Sequence, residues 1–178
     1  MQIMSATDPQ RQFEQVVMPH LDAAYNLARW LAGNDHDAED ITQEASLRAF
    51  RFLSGFRGGN SRSWLLTIVR NTAYTWLKQN RPQAVVSIAD DELLEIEDHE
   101  ATKSHSSALH NADRDVLRAA LEQLPTEFRE VLILRELEGL SYKEISEVAD
   151  APIGTVMSRL ARARKQLQEF LARKGELQ

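Results

Sequence analysis

The chain has 178 residues, 43 % of them apolar, with three tryptophans and no cysteine. That suffices for compact helical cores in one domain or two small ones, and it excludes disulfides, thiolate metal sites and cysteine nucleophiles. The net charge of −6 argues against a nucleic-acid partner only if it is spread evenly, and it is not.

Residues 1–83 carry nine basic and eight acidic side chains, residues 84–112 one and seven, and residues 113–178 eleven and twelve. Within the first segment, Asp35 to Glu44 holds five acids and no Lys or Arg, whereas Ala45 to Gln83 holds seven bases and no acid. Salt screens charge beyond about 10 Å, so these local fields matter more than the total. No apolar run is long enough to span a membrane, and Met1 to Gln15 lacks the hydrophobic segment of a signal peptide. A cytoplasmic protein without membrane insertion is expected.

Glycine and proline are sparse and no alternating pattern is sustained, so an all-α fold is expected. A first helix is predicted from about Gln10 to Ala32, with Val17, Leu21, Ala24, Ala28 and Leu31 on one stripe and Pro19 as a kink; Gly33-Asn34 ends it. A second runs from about Asp37 to Phe52. A third, from about Ser61 to Arg81, buries Leu65, Ile68, Val69 and Trp76, and the glycine-rich loop 54–61 precedes it. Residues 84–112 lose the period and read as an acidic flexible linker. A helix from about Asp113 to Gln123 follows, then one restarted by Pro125 that holds Phe128, Val131 and Leu132 and stops at Glu138-Gly139. The expected architecture is two small helical domains, 1–83 and 113–178, the second a four-helix domain.

Its last two helices are the most telling. Ser141 and Glu144 have capping-box spacing at the start of a short helix ending near Val148. Asp150-Ala-Pro-Ile-Gly154 breaks it, with Pro152 suited to a new first turn and Gly154 to close approach. In the next helix Ile153, Val156, Leu160, Ala163, Leu167 and Leu171 fall on one side, and Thr155, Ser158, Arg159, Arg162 and Lys165 on the other. A short capped helix, a tight break and a longer basic helix form a helix-turn-helix. Short polar residues at the start of its second helix meet base edges, while arginine donates paired bonds to guanine or phosphate. The C-terminal domain is therefore expected to bind DNA.

A helix-turn-helix serves many regulators, so the first 83 residues must discriminate. Asp37–Phe50 resembles the core-polymerase-binding helix of bacterial sigma factors of the extracytoplasmic function group, and Phe56–Asn71 resembles that group's promoter-melting loop and helix. Leu124–Val131 and Gly154–Arg164 look like its second DNA-binding domain. The resemblance runs through nearly the whole chain in order. It implies core RNA polymerase as partner through Asp40, Ile41, Gln43 and Glu44, with Ile41 as apolar anchor. It further implies that Phe56, Arg57, Asn60, Arg62, Arg70, Asn71, Tyr74 and Lys78 meet the downstream promoter DNA. Phe56, Gly58, Gly59 and Asn60 would form a pocket for a flipped base. Thr155, Ser158, Arg159, Arg162 and Lys165 would read the upstream element. An anti-sigma factor is implied by the family rather than by any residue.

Trp64 and Trp76 suit a core position as well as a stacking surface. The acidic linker suits a channel built for polyanions, and equally a simple solubilising tether. An ordinary DNA-binding regulator would need a sensing domain, yet the first 83 residues show no βαβ pattern. No enzyme, metal or cofactor is expected. His20, His36, His99, His105 and His110 make no ligand pattern, Asp37, Asp40 and Glu44 lack a completing histidine, and Gly55 to Gly59 lacks the Lys-Ser/Thr ending of a phosphate loop.

Overall fold

Short polar side chains set where the helices begin. In the computed structural model, which describes residues 8–85 and 111–175, Asp8 caps α1 (Pro9–Val16) by accepting from the Gln10 amide. Asn34 caps α3 (Asp35–Phe52) through the Asp37 amide, and Asn60 caps α4 (Ser61–Asn80) through the Ser63 amide. Each cap satisfies an amide that the helix cannot satisfy itself. The single helix expected from Gln10 to Ala32 is instead divided: α1 stops at Val16, a 3₁₀ turn covers Met18–His20, and α2 runs Leu21–Ala32. Pro19 lacks an amide hydrogen and its ring clashes with the carbonyl four residues back, so the expected kink becomes a full break. Gly33, at φ +86°, closes α2 in the left-handed conformation that glycine adopts without strain.

In the C-terminal half, α5 (Asn111–Gln123), α6 (Thr126–Glu136), α7 (Tyr142–Ala149) and α8 (Ile153–Gly175) follow in order. The Ser141–Glu144 capping box is present in both directions. Asp150, at φ 50°, turns the chain out of α7 in the left-handed region, which a short polar side chain tolerates better than most. Val156, Leu160 and Ala163 of α8 are buried as expected, but Ile153 is 46 % exposed. It stands in the first turn, before α8 reaches its neighbours. A Cβ on Gly154 would meet nothing within 4 Å, so no close approach is made there.

Helices α2, α3 and α4 pack on one another in one body, and α6, α7 and α8 in another with α5 against α8. Among the described residues no strand occurs. The acidic linker expected at 84–112 lies outside the described residues except at its ends, where Pro82–Ala84 makes a 3₁₀ turn and α5 begins. The two helical domains also pack together, α7 against α4 and α6 against α2. The Arg129 Nη1 donates to the Trp30 carbonyl at 2.8 Å and the Thr126 hydroxyl to the Ala84 carbonyl at 2.6 Å. Periodicity in the sequence carries no sign of that contact.

The cap at the helix-turn-helix yields a direct expectation. Ser141→Ala removes the acceptor for the Glu144 amide and should cost about 1 kcal/mol. The urea unfolding midpoint should fall with little change in slope; an unshifted midpoint would show that the cap contributes nothing.

Candidate nucleic-acid and polymerase interface

The inner side of α3 is lined by Ala38, Ile41, Ala45 and Ala49, all buried. Ile41 is only 1 % exposed, which corrects its assignment as an anchor for the polymerase: it belongs to the domain core. Leu47, which was not among the expected contacts, is 51 % exposed. It stands one turn beyond Gln43 and Glu44 and two beyond Asp40, so these residues share one face. The clue was present in the sequence, since the small residues at 38, 45 and 49 mark the packed side and leave 47 opposite. Asp40 and Gln43 are exposed and Glu44 half-buried, its carboxylate taking a 2.8 Å bond from Arg48.

The loop before α4 turns through Gly58 and Gly59 at φ +90° and +92°. Two consecutive residues in that region require glycine. The Phe56 ring packs on Trp64 with centroids 5.1 Å apart. Beside them lies a hollow lined by Phe56, Arg57, Gly58, Asn60, Trp64 and Thr67, with Glu147 of α7 at its wall. Arg57 is exposed. Both Trp64 and Trp76 are half-buried and pack on the core.

The residues expected to meet downstream DNA are partly engaged by the other domain. Asn60 Nδ2 donates to Glu144 Oε1 at 2.6 Å, and Arg62 pairs with Glu138. Arg70 Nε donates to Glu130 Oε1 at 2.7 Å and the Tyr74 hydroxyl to Glu130 Oε2 at 2.8 Å, with the Arg70 guanidinium stacked over the Tyr74 ring at 4.0 Å. Asn71 and Lys78 remain exposed and, with Arg70, Tyr74, Val85 and Glu127, line an open cleft between the domains.

Glu130 is fully buried. Burial pushes its carboxyl above the ordinary carboxylate range, against the opposing pull of the Arg70 charge and the bonds from Arg70 and Tyr74. Burial and the adjacent Glu130 carboxylate raise the Tyr74 phenol in turn, so it stays a hydrogen-bond donor. Removing one partner from such a buried pair leaves an uncompensated charge, at a cost of about 3–5 kcal/mol. In α4's first turn, His20 bonds the Ser61 hydroxyl at 2.9 Å, and its ring is held below the ordinary histidine value by burial and the nearby Arg62 charge.

On α8, Thr155, Ser158, Arg162 and Lys165 share the side opposite the buried Val156, Leu160 and Ala163. Arg159 departs from its expected place. Its side chain is 12 % exposed and its Nη2 lies 3.4 Å from Glu127 Oε2, so it leans onto α6. Its position in the helical turn falls next to that of buried Ala163, closer to the packed side than a two-face division of the helix suggests. In α3, His36, Asp37 and Asp40 bring donor atoms within 4.8 Å of one another. Asp37 is already matched by Arg81 at 2.7 Å and by Asn34, and its domain role is to tie the end of α4 to the start of α3.

The chain matches the family described as Sigma-70 region 2 over residues 16–83 and Sigma-70, region 4 over residues 114–167. It is 36 % identical to the ECF RNA polymerase sigma factor SigE of Mycolicibacterium smegmatis over 90 % of this chain and 62 % of that protein, and so spans under two thirds of that relative's length. It is also 36 % identical to the RNA polymerase sigma-H factor of Pseudomonas aeruginosa over 90 % of this chain and 86 % of that one. The fold is similar to that of the sigma factor RpoE from Bartonella quintana, solved in complex with the anti-sigma factor NepR. That similarity has a TM-score of 0.70 and 29 % identity and covers 91 % of this chain and 98 % of that one. No helix among the described residues is long and apolar enough to cross a membrane. Region 2 covers the body made by α2, α3 and α4, region 4 covers the body ending in the helix-turn-helix, and the relatives align through both: the chain belongs to the sigma-70 family, in its extracytoplasmic function group, as an alternative sigma factor directing promoter-specific transcription initiation.

Proposed function

We propose that the chain works through three surfaces. The face of α3 formed by Asp40, Gln43, Glu44 and Leu47 docks on core RNA polymerase. The 54–61 loop and α4 hold the opened downstream element through Phe56, Arg57, Asn60, Arg62, Arg70, Asn71, Tyr74 and Lys78. Thr155, Ser158, Arg162 and Lys165 on α8 read the upstream element, with residues 1–83, 84–112 and 113–178 as the working divisions. The observation that carries the reading is the outward Leu47 amid polar side chains on the helix that matches region 2. An exposed leucine with polar neighbours is the pattern of a small apolar anchor inside a charged rim.

Strand opening needs a place for an unstacked base, aromatic surface and cations for the freed backbone. The hollow beside Gly58, the Phe56–Trp64 pair and Arg57 supply that chemistry. Catalysis belongs to the polymerase and the chain acts in the cytoplasm as a specificity subunit. An anti-sigma factor is a fitting partner, supported by the similarity to RpoE in its complex with NepR.

The deciding experiment is run-off transcription from a promoter library with core polymerase, where the chain should confer initiation on a subset of templates; no transcript from any template sinks the proposal. Leu47→Asp places a charge in the apolar centre of the docking face and should weaken binding to core polymerase by about tenfold or more, read by fluorescence anisotropy. Equal affinity would move the contact elsewhere. Arg162→Ala should weaken upstream-element binding by about 1–3 kcal/mol, measured by competition between matched and mismatched duplexes.

A further inference from the structure

Two neighbouring residues at the start of α8 are not accounted for by the packing of the chain. Gly154 is not among the glycines at positive φ, and a Cβ there would meet nothing within 4 Å among the described residues. Neither backbone conformation nor close packing therefore asks for glycine. Alanine would hold the helix better, because glycine gives up more backbone freedom on folding. Ile153 beside it is 46 % exposed, although isoleucine is among the side chains most often buried.

Their place on the helix says what they face. At 3.6 residues per turn, Ile153, Met157 and Ala161 follow at four-residue intervals and make an apolar line along α8, with Met157 and Ala161 half-buried. A polar line of Thr155, Ser158 and Arg162 runs beside it, away from the buried Val156, Leu160 and Ala163. Gly154 falls between the two lines. The first turn thus presents bare backbone with apolar carbon on one flank and a hydroxyl on the other. In the major groove the four bases offer one apolar group, the 5-methyl of thymine, and apolar side chains are its usual readers.

We infer that Ile153, Gly154 and Met157 form a notch that takes a thymine methyl group of the upstream element, so that they determine specificity beside the polar contacts of α8. This rests on the reading of α8 as the helix that lies in the major groove. Gly154 lets the helix backbone approach the base edge, since a Cβ there would stand where the methyl enters. Ile153 and Met157 cover the methyl and remove it from water, which stabilises the bound state through apolar burial.

The test uses the full chain, alone and in complex with core polymerase, and duplex DNA that it selects from a random-sequence library. Thymine should recur in the selected upstream element, and deoxyuridine, which lacks only the 5-methyl group, then replaces each thymine in turn. At one position or more the affinity should fall by about fourfold, the worth of one buried methyl. Ile153→Ala with Met157→Ala should bring that thymine-to-uracil ratio close to one. A general loss of stability would not do so, because it weakens both duplexes alike. Gly154→Ala should weaken binding of the selected duplex by about fivefold or more, while the thermal midpoint stays level or rises. A ratio near one at every thymine for the unsubstituted chain overturns the notch, as does a ratio that survives the double substitution or a Gly154→Ala chain that binds as before. Run-off transcription separates this idea from the assigned function. A transcript alongside binding indifferent to uracil leaves the sigma function standing without the notch. Methyl-dependent binding without any transcript keeps the notch and removes the assigned function.

Discussion

A carboxylate with no access to solvent dictates how the two domains meet. Glu130 sits on α6, and its burial carries a desolvation cost that only close, hydrogen-bonded partners offset. α4 supplies them as the Arg70 guanidinium at 2.7 Å and the Tyr74 hydroxyl at 2.8 Å. That requirement sets the approach of α6 to α4 and brings α7, with Glu144, over the N-terminus of α4. The cleft lined by Asn71 and Lys78 and the walled hollow beside Gly58 are consequences of the same placement.

Two recognition surfaces on one chain act together when binding at one keeps the other near its target, so modest individual contacts combine into useful affinity. The geometry fits that logic. The α3 face proposed to dock points outward with Leu47 exposed, while part of α4 packs against α7 of the other domain.

Much of the fold was legible along the chain because helix signals are local. The capping box at Ser141, the glycine stop at Gly33 and the apolar stripe of Val156, Leu160 and Ala163 each depend on neighbours within a few positions. Even the error at Pro19 was one of degree, a break where a kink was expected. The candidate site was legible in kind but less so in detail. Asn71 and Lys78 are exposed as a DNA contact needs. Ile41 went wrong because an acidic helix dotted with small residues has two plausible apolar sides, and alanines reveal the packed one only when they are counted as core.

By itself the amino-acid order determined that the chain is helical, where most of its helices start and stop, that its C-terminal half holds a helix-turn-helix, and which family it resembles. Only the tertiary structure decided that Ile41 faces inward and Leu47 outward, that Arg159 turns back to Glu127, and that Arg62 and Arg70 are matched by glutamates far away in sequence. The physical reason is one of range. Caps and periodicity arise within one or two turns, whereas the partner of a charged side chain is whatever surface the packed cores bring against it, and no local pattern encodes that meeting.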